Sequence, residues 1–254
     1  MAAMIALSGV SKQYRLGKIG AGYFYLELSQ FFRQLSDRLC QKNVAAKRPL
    51  PQVLALDNIS LTVSKGETVG IIGHNGSGKS TLLKLLAGVT LPSTGTIELA
   101  GRVVSLLDIG IGFQSDLSAR ENIFLNGAIL GMSRSELRRK FDDIVAFSGL
   151  GRFLDTPIKR FSSGMYIRLA FSIAINCVAD VLLIDEILSV ADRRFLEQCR
   201  KKLKEYAASG TTMLIASHNL RTIQDLCPRT ILLSGGKIVT DGETQQVLKL
   251  YRGG

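Results

Sequence analysis

At 254 residues and 46 % hydrophobic, the chain is long and apolar enough for one large domain or two small ones with ample core. No apolar run approaches the length of a bilayer span, and the four cysteines (Cys40, Cys177, Cys199, Cys227) are scattered without a C-x-x-C pair, which argues against a disulfide framework and for a reducing compartment. A formal net charge of +11 fits a partner with an anionic surface, either membrane or nucleic acid, and fits solubility alone as well.

The first ten residues are mildly apolar but lack the basic start and long apolar stretch of a signal peptide, so residues 5–10 read as a first strand. Tyr14, just beyond, offers a flat π-face on which a nucleobase can stack; an edge-strand tyrosine is the other reading. Across 18–51, Phe24, Leu28, Phe31, Leu35 and Leu39 recur at helical spacing, while Glu27, Gln30, Arg33, Gln34, Asp37 and Arg38 fill the other face. Lys42, Lys47 and Arg48 then lead into Pro49-Leu50-Pro51. The pattern is an amphipathic helix with a basic linker, lying on a membrane or partner or packing on its own domain. Residues 53–63 alternate (Leu54, Leu56, Ile59, Leu61, Val63) and predict a strand, followed by a turn at 64–67.

The stretch that organises the rest comes next. A short β-rich run, 68–72, feeds Gly73-His74-Asn75-Gly76-Ser77-Gly78-Lys79-Ser80, which fits G-x-x-x-x-G-K-[ST]. Leu82, Leu83, Leu85 and Leu86 follow at helical spacing, so the context is strand, Gly-rich loop, helix. A polyphosphate needs donors to replace its water. Gly73, Gly76 and Gly78 let successive N–H groups turn inward as an anion nest that includes Asn75 and Ser77, and the helix start adds its positive end. Lys79 is placed to bridge the β- and γ-phosphates, Ser80 to ligate Mg²⁺, and Thr81 to bind the α-phosphate. His74 occupies a variable position of the motif and needs no role.

Beyond a turn at 92–95, residues 96–99 and 103–107 predict short strands, and 113–177 predicts helices. Ser133 and Glu136 form a capping box ahead of an apolar face of Leu137, Phe141, Ile144 and Val145. Phe161-Ser162-Ser163-Gly164-Met165 is a small, polar helix start, with a nearly all-apolar helix over 166–178. Val181-Leu182-Leu183-Ile184 predicts a buried strand that ends at Asp185-Glu186, the place where α/β sheets put active sites. Asp185 is positioned to hold Mg²⁺ through water, and Glu186 to orient or deprotonate an attacking water. A second buried strand, 211–216, ends at Ser217-His218, on the same edge, so His218 can contact a γ-phosphate. A hairpin (231–233 and 237–239) around Ser234-Gly235-Gly236 and a closing helix, 244–251, complete the chain.

Together these residues resemble the ATP-binding cassette (ABC) ATPases, the motor subunits of ABC transporters, over almost the whole chain. Residues 73–80 resemble the Walker A motif, and 181–185 with Glu186 resemble Walker B and the catalytic glutamate. Gln114 after Phe113 is similar to the Q-loop glutamine, Ser162, Ser163, Gly164 and Met165 to the signature motif, and 189–192 to the D-loop. His218 resembles the switch histidine and Tyr14 the A-loop aromatic. The departures point to a branch. A Ser-Ser-Gly-Met signature, Gly112-Phe113-Gln114 with Arg120-Glu121-Asn122-Ile123, and Ile187 after the glutamate are similar to exporters of O-antigen, teichoic acid and capsule. The 18–48 insert resembles a gate helix of the O-antigen and teichoic-acid members. Ala191 stands where that branch usually has glycine.

The resemblance implies an α/β fold: a P-loop NTPase of the ABC type, with a RecA-like core, an antiparallel β edge and an inserted α-helical subdomain. Residues 1–254 would form a single ABC ATPase domain. In it 1–112 and 178–254 make the nucleotide-binding core, 18–51 the gate-like insert and 113–177 the helical signature subdomain. It further implies ATP and Mg²⁺, with Gln114 among the metal and catalytic groups, and a head-to-tail homodimer. Two multi-span membrane permease subunits, a lipid-linked polysaccharide substrate, no nucleic acid, and a peripheral place at the cytoplasmic face of the inner membrane follow from it too. An importer or drug-exporter cassette is a further alternative, against which the signature and the insert argue; soluble ABC ATPases of DNA repair or translation are the competing class, kept open by the +11 charge. They usually carry coiled coils, further domains or a second cassette, and this chain shows one cassette and no long heptad run.

Overall fold

The protein is described from a computed structural model, which describes residues 2–15, 52–107, 109–185 and 192–253. The 18–51 insert, Glu186 and 189–191 lie outside the described residues. Two compact units are distinguished, one of residues 1–12 with 55–254 and one of 13–54. Of the second unit, only the strand ends 13–15 and 52–54 are described.

Six strands form the central sheet. In chain order they are β3 (Thr68–Ile72), β5 (Val103–Ser105), β6 (Val181–Ile184), β7 (Thr212–Ala216), β8 (Arg229–Ser234) and β9 (Lys237–Glu243). Across the sheet the order is β5-β6-β7-β3-β8-β9. All neighbours are parallel except the β8–β9 hairpin. Strands β3, β6 and β7 are buried along their whole length, as a parallel sheet covered on both faces requires. Their period-two alternation is visible in the two cores. Leu182, Ile184, Met213 and Ile215 join a cluster centred on Phe171 and Phe195, while Val181, Leu183, Leu214 and Ala216 join one with Leu82 and Leu83. A smaller sheet, β2-β1-β4, uses β1 (Ala3–Arg15), β2 (Gln52–Ser64) and β4 (Thr94–Leu99), with β1 and β4 antiparallel.

Helix α1 (Lys79–Leu86) follows β3 and buries Leu82, Leu83, Leu85 and Leu86. Three helices form the region between β5 and β6: α2 (Ala119–Ile129), α3 (Arg134–Ser148) and α4 (Ser163–Ile175). They share a third core of Ala119, Ile123, Ile144, Leu150, Ile158, Leu169 and Ile173. The Ser133–Glu136 capping box is present, and Ser118 with Glu121 forms a second one ahead of α2. Helix α5 (Arg193–Ala208) buries a single stripe, Phe195, Cys199 and Leu203, and is capped by Asp192, whose side chain accepts the Phe195 N–H. Helices α6 (Leu220–Leu226) and α7 (Thr244–Gly253) close the chain.

Two boundaries differ from the sequence expectation. Strand β1 continues to Arg15, past the point where apolar alternation stops, and its pairing with β4 reaches Ser11, opposite Thr94. Helix α4 starts at Ser163 and ends at Ile175, not 166–178, because the Ser162 side chain accepts the Met165 N–H and caps it early. Val178 is left 61 % exposed. Cys177, Cys199 and Cys227 are free and buried, and burial pushes each thiol up to about 12, so they serve as small apolar side chains.

Candidate functional site

The loop between β3 and α1 sits at the carboxyl edge of the central sheet. Helix α1 opens without a side-chain cap and without an acidic residue in its first turn, so its N–H groups are available to an anion. Gly78 occupies its cap position at φ 108. A Cβ there would lie 2.7 Å from Leu56 Cδ2 and 2.8 Å from the Ala55 carbonyl, so only glycine fits. At Gly73, φ +150, a Cβ would lie 2.2 Å from the Leu233 carbonyl oxygen. Gly76, φ +80, has nothing within 4 Å of its Cβ position, which leaves the crest of the loop open.

Lys79, only 7 % exposed, folds back over this loop. Its Nζ donates to the carbonyls of Gly73 (2.7 Å) and His74 (3.0 Å), which aims a fixed positive charge across the anion nest. The Ser77 hydroxyl is buried and has no hydrogen-bond partner among the described residues. A buried orphan donor inside such a loop fits a bound polyphosphate. Asn75 is exposed and Thr81 half-buried on α1.

In the first turn of the helix, the Ser80 hydroxyl donates to Asp185 Oδ2 at 3.0 Å. Asp185 stands at the carboxyl end of β6, so two elements separated by 105 residues present a hydroxyl and a carboxylate to one point. No group of three His, Cys, Asp or Glu that could hold a metal exists among the described residues. A hydroxyl with one carboxylate is instead the donor set of a Mg²⁺ that takes its remaining oxygens from phosphate and water. His218, exposed, follows β7 on the same edge. Its chain neighbours are fixed: the Ser217 hydroxyl accepts the Asn219 N–H at 3.0 Å, and Asn219 caps α6.

Gln114 lies exposed in the turn before α2, and its backbone is held by a residue that the sequence offered only as part of the Arg120–Ile123 resemblance, without this role. Asn122, fully buried on α2, accepts the Gln114 N–H at 2.8 Å and donates to the carbonyls of Gln114 (3.0 Å), Leu117 (3.1 Å) and Ser118 (2.9 Å). Asn126, one turn on, donates to the Ile111 carbonyl at 2.7 Å. Two asparagines four apart on the inward side of a helix were the available signal, since a buried amide demands partners. Tyr251 of α7 was missed too: its ring meets that of His74 at 5.3 Å, giving the variable loop position a packing partner.

The Ser162–Met165 start of α4 carries no acidic residue in its first turn. A Cβ on Gly164 would meet nothing within 4 Å, so this helix start faces open space. Tyr14 is 38 % exposed and belongs to the other unit, so its stacking role stays an expectation. Loop, Ser80, Asp185 and His218 thus share one sheet edge, while Ser162–Met165 sits on the separate three-helix core.

Comparisons with known proteins point to one family. The family model described as "ABC transporter" matches residues 56–189. An O-antigen export system ATP-binding protein RfbB of Klebsiella pneumoniae is 38 % identical over 99 % of this chain and 98 % of its own length. One of the same name from Myxococcus xanthus is 42 % identical over 98 % of this chain, which spans 55 % of that relative's length. A solved ATP-binding cassette in a dimeric, post-hydrolysis state with ADP and Pi superposes with a TM-score of 0.71 at 20 % identity, covering 95 % of this chain and 99 % of its own, which supports the fold. With a family model spanning the phosphate loop through Asp185 and a relative covered over 98 % of its length at 38 % identity, the chain belongs to the ABC transporter family.

Proposed function

We propose that this chain hydrolyses ATP to power export of a lipid-linked polysaccharide, of the O-antigen, teichoic-acid or capsule kind, across the cytoplasmic membrane. The observation that carries the ATPase part is the convergence of Ser80 on Asp185 at 3.0 Å beside the Lys79 loop. The substrate class is supported by the names of the O-antigen export relatives. In this reading 1–112 with 178–254 form the nucleotide core, 113–177 the signature subdomain and 18–51 a gate-like insert.

Each residue has a task that its chemistry suits. Gly73, Asn75, Gly76, Ser77, Gly78 and Thr81 hold the phosphates, and Lys79 leaves its two carbonyls for the β- and γ-phosphate oxygens. Ser80, Asp185 and Gln114 hold Mg²⁺, which neutralises charge developing on the phosphates. Glu186 orients and deprotonates the attacking water, and His218 contacts the γ-phosphate. Tyr14 stacks on the base. The open α4 start is completed only by a second copy: Ser162, Ser163, Gly164 and Met165 of one subunit close over the loop of the other. ATP then joins the two subunits, and hydrolysis releases them. Two multi-span permease subunits convert that closure into transport, and the homodimer sits on the cytoplasmic face of the inner membrane. No nucleic acid is involved. Among the described residues no helix is long and apolar enough to cross a membrane.

The test is Lys79→Ala in a cell that makes the glycan. Surface polysaccharide should disappear while its lipid-linked precursor accumulates inside. Normal surface polysaccharide with an inactive ATPase would sink the coupling.

A further inference from the structure

Tyr166 touches the Gln114 loop through its side chain and the Ser162–Met165 helix start through its backbone. It directly follows Met165, and its N–H donates to the Ser162 carbonyl at 3.0 Å, closing the first turn of α4. Its hydroxyl donates to the Gly110 carbonyl at 3.0 Å. Its ring meets Phe113, the residue before Gln114, edge-on, with centroids 4.9 Å apart and planes at 70°. Gly110 has φ +86, and a Cβ there would lie 2.7 Å from Tyr166 Cε1, so the loop backbone approaches the ring as closely as glycine alone permits. Asn122 and Asn126 grip the same loop from α2. A loop held at both ends does not stretch, so a shift of the first turn of α4 carries Phe113, and Gln114 with it.

We infer that Tyr166 is a positioning residue that transmits nucleotide occupancy from one composite ATP site to the other. This rests on the proposed two-site dimer, in which Gln114 attends the nucleotide on its own chain's loop and Ser162–Met165 attends the nucleotide on the partner's loop. Tyr166 joins these two contacts, which belong to different sites. Binding at one site therefore favours the geometry needed at the other, and the effect is reciprocal. The joint is one neutral hydrogen bond and one ring contact, so the coupling it carries is modest.

Tyr166→Phe keeps the ring and removes only the hydroxyl. The measurement is ATP hydrolysis by the full chain across ATP concentration, with melting temperature recorded beside it. Wild type should give a Hill coefficient above one. Tyr166→Phe should bring it towards one and lower kcat by about threefold to tenfold, with the fold retained. Gly110→Ala, which puts a Cβ 2.7 Å from Tyr166 Cε1 and 2.8 Å from its hydroxyl oxygen and so pushes the ring and hydroxyl off the loop, should reproduce the lost cooperativity. A tyrosine that only packs would lower melting temperature and kcat and leave the Hill coefficient alone. A cooperative wild type with an equally cooperative Tyr166→Phe overturns the inference and leaves the dimer standing. A non-cooperative wild type overturns the inference as well. Sizing of Glu186→Gln with MgATP then tells whether the two-site dimer falls with it.

Discussion

Lys79 and the three loop glycines show how much of the site depends on single atoms. Lys79→Ala removes the charge that spans the Gly73 and His74 carbonyls, so ATP binding should weaken greatly and hydrolysis should vanish; isothermal titration and phosphate release would check both. The glycines separate by what surrounds them. Gly76→Ala meets no atom within 4 Å, so its cost is the left-handed backbone alone, about 1–2 kcal/mol. Gly73→Ala adds a Cβ 2.2 Å from the Leu233 carbonyl, and the loop or β8 has to move. The expected order of melting temperatures is wild type, then Gly76→Ala, then Gly73→Ala, with nucleotide binding lost only in the last. Equal behaviour of the two variants would contradict the packing described beneath the loop. Glu186→Gln keeps the shape of the side chain and loses the base, so MgATP should still bind while turnover falls by orders of magnitude in single-turnover assays.

Helix α2 acts through Asn122, which meets Gln114 N–H and three carbonyls. Asn122→Ala leaves those groups without their partner, at about 1–3 kcal/mol. Because the contact is to the Gln114 loop and not to the phosphate loop, ATP affinity should hold while kcat falls about tenfold or more; a parallel loss of affinity would show that Asn122 only supports the fold. The 18–51 insert calls for the opposite test. Phe24→Ser with Phe31→Ser should leave the subunit folded and binding MgATP while polysaccharide export drops sharply. Several degrees of lost melting temperature would place the helix in the core, and normal export would make it a passive linker. Elements with strong local signals were legible in the sequence: the strand–loop–helix at 68–86, the strand Val181–Ile184 and the Ser133 capping box. Helix α4 was misplaced by three residues because its cap, Ser162, has no Glu or Gln partner three positions on and so carries half of the usual signal. Asn122 was legible only as part of a motif, and its hold on the Gln114 turn went unread because that role is tertiary: the four groups it meets are defined only once α2 packs on the turn before it. Ser80 with Asp185 was legible as two motifs, but their meeting is a property of the sheet order, in which β7 separates β3 from β6.

For the whole molecule, the proposed function makes two half-sites of groups that lie on different parts of the chain. The phosphate loop, Asp185 and His218 lie on the edge of the central sheet, and Ser162–Met165 opens a helix of a different core. In the proposed dimer, a second copy placed head to tail would supply each half-site with its complement, and the same closure would give a permease something to follow. Gly164→Asp places a carboxylate at the open start of α4, where it would repel a phosphate and abolish hydrolysis in a homodimer. The most direct measurement mixes this subunit with Lys79→Ala and follows ATP hydrolysis in verified heterodimers. One composite site then carries both lesions and the other carries neither. Completion in trans predicts that hydrolysis returns, to about half the wild-type rate if the sites act independently and less if they are coupled. Heterodimers as inactive as either parent would contradict it.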